Sequence, residues 1–115
     1  MTKITINWEE MSLKAEGHAG AGTAGNDIVC AGISVLTQTL LNALIEAHKR
    51  GRTELEYKID EEKGLLKLEV NPYETNRREV WSYFKMTLIG LRAIAQNYPG
   101  HIKITEIGGM NVGYV

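Results

Sequence analysis

The residues best suited to chemistry in this sequence are its single cysteine, Cys30, and a histidine that precedes it, His18. A cysteine nucleophile works as a thiolate, so a protein that uses one must lower the thiol pKa from about 8.5. We expect Cys30 in the first turn of a helix, where unpaired backbone N–H groups and the helix dipole favour a thiolate and a developing oxyanion. His18, at the end of the preceding strand, can approach across a loop and share the thiol proton. The pair predicts nucleophilic catalysis.

Two more polar residues stand close to Cys30. Asp27 is a good N-cap residue that would order this helix, but its charge opposes a thiolate unless it turns toward backbone N–H groups or His18. Ser34 follows Cys30 by one turn on the same helix face, where it could hydrogen-bond the thiol or a substrate backbone. On residue types alone the alternative stays open that Cys30 is a small buried hydrophobic residue and His18 an exposed loop residue.

The connection between these residues is rich in glycine. Residues 17–26 read Gly-His-Ala-Gly-Ala-Gly-Thr-Ala-Gly-Asn, a loop that is costly to order and therefore often functional. Gly20, Gly22 and Gly25 also match a dinucleotide-binding fingerprint. Three observations disfavour that interpretation: the chain is too short for two mononucleotide-binding halves, the preceding strand alternates like a half-solvated antiparallel strand, and no acid is suitably placed to bind a ribose.

The elements around this loop predict an α/β (α+β) fold in the order ββαββαβ. Alternating residues predict strands over 3–7 and 11–16, with a turn at Glu9-Glu10, and further strands over 53–59, 65–70 and 102–107. The turn at 60–64 joins the middle pair as a hairpin. We expect a two-layer sandwich, a mainly antiparallel sheet with two helices on one face, as a single domain over residues 1–115. The other face of the sheet is a candidate surface for a second copy.

Both helices carry an apolar stripe. The first begins at Asp27 and ends at Gly51, after the basic pair Lys49-Arg50, and its stripe is Val29, Ile33, Leu36, Leu40, Ala43, Leu44 and Ala47. Asn76 and Glu79 predict a capping box at the start of the second. Pro99-Gly100 ends it. Its stripe is Trp81, Phe84, Leu88, Leu91, Ala95 and Tyr98.

Composition narrows the class of protein. The 115 residues are 43% hydrophobic and 23% charged, with a net charge of −1, so no basic excess points to nucleic acid or a membrane surface. Polar residues interrupt the apolar stretches, and the N-terminus has no signal-peptide core, so we expect a cytoplasmic protein. One cysteine allows no internal disulfide, and the three histidines and the cysteine share no metal-ligand spacing.

The string Gly-His-Ala, a short glycine-rich loop and then Asp-Ile-Val-Cys-Ala-Gly-Ile-Ser resembles the ribosomal-processing cysteine protease family, Prp. The resemblance extends over the whole chain. It implies Cys30 as nucleophile and His18 as general base, in a small, homodimeric enzyme without cofactor or metal. It also implies supporting or substrate-binding roles for a further set: Asp27, Ser34, Ala19, Gly20, Gly22 and Gly25.

The same resemblance implies a substrate. Members of the family remove the N-terminal extension of a large-subunit ribosomal protein, the twenty-seventh in the standard naming, before ribosome assembly. The expected partner is therefore a ribosomal protein precursor that binds as a peptide, with no direct contact to nucleic acid or membrane. Two alternatives stay open: a phage or prophage protease that processes capsid or scaffold protein, and a non-catalytic, dimeric, ribosome-associated binding module.

Overall fold

A computed structural model describes residues 1–18 and 27–109 of the chain. Within them the elements follow the predicted order ββαββαβ, with a short 3-10 turn before the second helix. The two helices contact each other and the same sheet, so they form one layer of a two-layer domain. The elements are β1 Thr2–Asn7, β2 Ser12–Glu16, α1 Ile28–Lys49, β3 Thr53–Asp60, β4 Leu65–Pro72, the 3-10 turn Glu74–Asn76, α2 Arg77–Asn97 and β5 Ile102–Ile107.

The sheet has five strands in the order β3-β4-β2-β1-β5. The pairs β1–β2, β2–β4 and β3–β4 are antiparallel and β1–β5 is parallel, so the prediction of a mainly antiparallel sheet is confirmed. The predicted β1–β2 turn is also present, because Asn7 Oδ1 accepts hydrogen bonds from the amides of Glu9 and Glu10. The β2–β4 pairing matters most for function, since it brings the end of β2 beside the β3–β4 turn.

Helix α1 begins after Asp27 and ends at Lys49, as predicted. Its buried residues include Thr37 and Leu41, which the apolar pattern missed, whereas Leu36 and Ala43 are only half-buried. Leu36 is turned toward α2, where a Cβ added at Gly90 would lie 2.8 Å from its Cδ2 atom. The glycine thus lets the two helices approach closely.

By length and composition alone, α1 is apolar enough to cross a membrane, with a mean hydropathy of 1.9. This differs from the expectation that polar residues interrupt every such stretch. In the fold, 33% of that stretch is buried, and most of the buried residues of α1 belong to the domain core. A core helix of a two-layer domain satisfies the same criterion as a membrane span.

The predicted start of α2 at Asn76 is confirmed, but Asn76 and Glu79 form no capping box there. Asn76 caps nothing with its side chain, and the 3-10 turn leads directly into the helix. Glu79 instead accepts a hydrogen bond from Arg52 at 2.6 Å and another from the Tyr83 hydroxyl at 3.0 Å. Glu79 therefore forms an ion pair with a residue of another element, instead of the helix cap that the local motif predicted.

The core lies between the helices and the sheet. Trp8, Phe84, Leu44 and Leu68 are among its fully buried side chains. Tyr98, expected in the apolar stripe of α2, is 40% exposed.

The opposite face of the sheet is polar, because alternate strand residues such as Lys14, Lys67 and Glu69 point away from the helices. Large exposed apolar side chains on the two helices are Ile28, Val35, Met86 and Ile89.

Candidate active site

A cleft of about 300 Å³ lies between the N-terminal half of α1 and one end of the sheet. Both residues that the sequence proposed as the reactive pair, His18 and Cys30, line it, and so does Ser34. The rest of its wall comes from β1, β2, α1 and the β3–β4 hairpin: Thr2, Ala15, Gly17, Ile33, Thr37, Gln38, Ile59, Asp60, Glu61, Gly64, Leu65 and Leu66. The fold thus brings a histidine after β2 and a cysteine on α1 to one cavity.

The path of the chain after β2 places His18. Gly17 has φ +89°, which an L side chain rarely adopts, and a Cβ there would lie 2.7 Å from the carbonyl oxygen of Met1. The Gly17 amide donates a hydrogen bond to the Gly64 carbonyl at 3.1 Å and so continues the β2–β4 pairing by one residue. His18 follows directly and is exposed to solvent.

Cys30 is half-buried in the first turn of α1, where it packs against the core. Asp27 accepts hydrogen bonds from the amides of Val29 and Cys30, each at 3.0 Å, and its own carbonyl accepts from the Ala31 amide at 3.0 Å. The carboxylate is therefore turned toward backbone N–H groups, which offsets part of its opposition to a thiolate. These three amides already have acceptors, so the expectation that they are free to bind an oxyanion is not met.

Ser34 lies one turn after Cys30 on α1 and is exposed at the cleft. Gln38 continues the same row by another turn, and sequence analysis missed it although its spacing of four residues from Ser34 was visible. The hairpin residues Ile59, Asp60, Glu61 and Gly64 were missed for a different reason. They line the cleft because of how the strands pair, and strand pairing cannot be predicted from a local sequence pattern.

Four of the predicted site residues, Ala19, Gly20, Gly22 and Gly25, lie outside the described residues. Within residues 1–18 and 27–109, no group of three or more His, Cys, Asp or Glu side chains is arranged to hold a metal ion.

Two titratable groups outside the cleft, Tyr83 and Glu106, have pKa values that differ from their ordinary values. Burial raises the pKa of Tyr83, and its hydrogen bond to Glu79 and the charge of that carboxylate raise it further. Burial alone would raise the pKa of Glu106, but hydrogen bonds from Trp8 and Arg92 and nearby positive charge together lower it. Glu106 on β5 contacts Arg92 of α2, whereas Tyr83 and Glu79 lie on the same helix.

The model of one protein family, described as cysteine protease Prp, matches residues 1–103 of this sequence. The chain belongs to the cysteine protease Prp family. The ribosomal processing cysteine protease Prp of Staphylococcus aureus is 30% identical over 103 residues, which are 88% of this chain and 92% of the relative. The resemblance inferred from the motif around His18 and Cys30 is thereby confirmed, and so is membership of a ribosomal processing protease family.

Solved structures of Prp support the same assignment. The S. aureus ribosomal processing protease Prp with a covalently linked product peptide superposes with a TM-score of 0.76 at 25% identity, over 92% of this chain and 99% of that one. The same protease with a substrate peptide gives 0.67 at 26% identity, over 91% and 96%. A Streptococcus mutans protein gives 0.68 at 28% identity, over 92% and 91%.

Proposed function

We propose that this chain is a cysteine endopeptidase that removes the N-terminal extension of a large-subunit ribosomal protein, the twenty-seventh, before ribosome assembly. The observation that carries the proposal is the presence of His18 and Cys30 in one cleft of a Prp-family chain. The S. aureus Prp structures, one with a substrate peptide and one with a covalently linked product peptide, support a peptide as the ligand.

In the proposed mechanism, the Cys30 thiolate attacks the carbonyl carbon of the scissile bond. His18 accepts the thiol proton as the thiolate forms, and then gives this proton to the leaving amine. The C–N bond breaks and a thioester remains on Cys30. Water, deprotonated by His18, then attacks the thioester and releases the N-terminal product. Free thiol and neutral histidine are restored, and neither cofactor nor metal enters any step.

Ser34 has a supporting role in this proposal. Ser34 lies on the cleft wall one turn from Cys30. Its hydroxyl can there bind the peptide backbone near the scissile bond. Asp27 acts through the helix, because its carboxylate holds the first turn that presents Cys30. The loop residues Ala19, Gly20, Gly22 and Gly25 are proposed to cover the bound peptide.

We further propose that the enzyme works as a homodimer in the cytoplasm. A reducing compartment suits a free thiol nucleophile, and ribosome assembly takes place there. The polar open face of the sheet is a poor candidate for the dimer interface. Exposed Val35 on α1 and Met86 on α2 make the helix layer the better one. Sedimentation analysis of Val35→Glu against the unmodified chain tests this assembly.

A mass-spectrometric cleavage assay tests the protease proposal. The substrate is the full-length ribosomal protein from the same genome, and the variants are Cys30→Ala and His18→Ala, with His48→Ala as a control for a histidine outside the cleft. We expect one cut near the substrate N-terminus that Cys30→Ala abolishes, His18→Ala slows by at least about a hundredfold, and His48→Ala leaves unchanged. Equal cleavage by the Cys30→Ala variant would refute the mechanism.

The cleavage assay, together with the rate of alkylation of Cys30, separates the two alternatives. An intact ribosomal protein together with rapid, His18-dependent alkylation of Cys30 would favour a phage-type processing protease. An intact ribosomal protein with slow alkylation that does not depend on His18 would favour a non-catalytic binding module.

A further inference from the structure

The turn between β3 and β4 lies against His18. Residues Asp60 to Gly64 are held by two hydrogen bonds, from the Lys63 amide to Asp60 Oδ1 and from the Gly64 amide to the Glu61 carbonyl, both at 3.2 Å. The Gly64 carbonyl accepts the hydrogen bond from Gly17. The residue just before the histidine is thus tied to the last residue of the turn, although they are far apart in sequence.

Gly64 leaves space that the His18 ring uses. A Cβ added at Gly64 would lie 3.1 Å from Cε1 and 3.2 Å from Nε2 of the imidazole, and 3.0 Å from the carbonyl oxygen of Gly17. These distances are shorter than ordinary van der Waals contact. Any side chain at position 64 would push the ring or the backbone that carries it.

We propose that Gly64 is a positioning residue that sets where the His18 imidazole stands relative to Cys30. The inference rests on the proposed function of His18 as general base. Proton transfer needs the base within hydrogen-bond reach of the thiol, and small displacements of a reacting group reduce rates strongly. Gly64 itself touches neither substrate nor the thiol in this role; it acts through His18.

Another glycine provides a matched control. Gly51 has φ +70°, close to the φ +59° of Gly64, but a Cβ at Gly51 would meet nothing within 4 Å. Gly51→Ala therefore carries the backbone strain of a left-handed alanine without touching the cleft. Gly64→Asn is the complementary variant, because asparagine tolerates left-handed φ but still adds a Cβ.

The first measurement is the rate of iodoacetamide labelling of Cys30 between pH 5 and 9, which reports on one site because the chain has one cysteine. We expect Gly64→Ala and Gly64→Asn to label at least about tenfold more slowly than the unmodified chain near neutral pH, with pH profiles that approach that of His18→Ala. Gly51→Ala should label as the unmodified chain does. In the double variant His18→Ala with Gly64→Ala, labelling should be no slower than in His18→Ala alone, because both changes act through the same ring.

Peptide cleavage provides the second measurement. We expect Gly64→Ala and Gly64→Asn to lower kcat by at least about tenfold, with KM changed by less than about threefold. Thermal unfolding of each variant checks that the fold is kept. Labelling and kcat of Gly64→Ala equal to those of the unmodified chain, while His18→Ala remains slow, would overturn the positioning role and leave the protease proposal intact. Identical labelling of the unmodified chain and His18→Ala would overturn the catalytic pair, and the role of Gly64 with it.

Discussion

The backbone amide of Cys30 donates a hydrogen bond to the carboxylate of Asp27 over 3.0 Å. The residue proposed as nucleophile is therefore fixed by the cap of its own helix. The same carboxylate oxygen accepts the Val29 amide, so one side chain holds two of the first-turn donors. The carboxylate charge is thereby partly compensated by backbone N–H groups, which also fix the first turn of the helix that carries Cys30.

We expect Asp27→Ala to lower the free energy of unfolding by about 1 kcal/mol, because two amides lose their acceptor. Peptide cleavage should fall as well, since the first turn that carries Cys30 would fray. Asp27→Asn and Asp27→Ser should recover most of the stability, because both are good caps. Urea unfolding of the four proteins, with kcat/KM for the same peptide, measures both effects. An Asp27→Ala chain as stable and active as the unmodified one would show that the cap is not needed.

Ser34→Ala should reduce kcat/KM by about fivefold, the effect of losing one hydrogen bond of about 1 kcal/mol to the substrate. Stability should not change, because the Ser34 side chain is exposed. Ser82→Ala is the matched control: Ser82 is an exposed helical serine on α2, outside the cleft. Steady-state kinetics on one peptide compares the two. If both variants cleave at the unmodified rate, Ser34 has no contact with the substrate that matters.

Ile59 and Tyr57 are both large, exposed apolar residues of β3, 50% and 53% exposed, but only Ile59 lines the cleft. If the peptide packs on this wall, Ile59→Ser should raise KM by about fivefold through the loss of about 1 kcal/mol of apolar contact. Tyr57→Ser should leave KM unchanged. The comparison is made by substrate titration of both variants. Equal KM values in Ile59→Ser and Tyr57→Ser would place the peptide elsewhere.

The side of the cleft that carries the proposed catalytic pair could be found in the sequence because its residues are close together in the chain. His18 follows β2, and Asp27, Cys30 and Ser34 lie at the start of α1. Helical spacing alone places Cys30 and Ser34 on one face of the helix. Strand alternation and helix stripes likewise predicted the order of elements and most of the core. Each of these inferences depends on periodicity, which is a local property.

The opposite wall could not be found in this way, because it depends on which strands pair. Nothing in the segment around Gly64 indicates that β4 lies beside β2, and without that register the contact with His18 is invisible. Glu79 is a second case in which a local pattern was not enough. Its spacing from Asn76 predicted a capping box, but the Glu79 carboxylate instead binds Arg52, which lies outside α2. In both cases the structure depends on contacts between residues that are far apart in the sequence.

Glu106 on β5 accepts hydrogen bonds from two donors, one that follows β1 and one on α2. Its Oε1 accepts a hydrogen bond from Trp8 Nε1 at 2.9 Å, and Oε2 accepts from Arg92. Although burial opposes ionisation, these donors and the nearby positive charges lower the pKa of Glu106 below its ordinary value of 4.5. The ionised form is thus bound more favourably in the folded chain. Its contribution is present above about pH 4.5 and is lost as the pH falls through the lower folded value.

We therefore expect Glu106→Gln to lower the free energy of unfolding by about 1 kcal/mol at pH 7, less than is usual for hydrogen bonds to charged groups because the site is partly exposed. The difference from the unmodified chain should shrink as the pH falls below 4.5, because the unfolded chain then takes up a proton on Glu106 while the folded chain still keeps it ionised. Glu56→Gln, on the exposed edge strand β3, serves as the control and should change stability little at either pH. Urea unfolding from pH 3 to 7 measures the three chains. A loss in Glu106→Gln that stays constant across this range would mean that amide packing, and not the carboxylate charge, accounts for the effect.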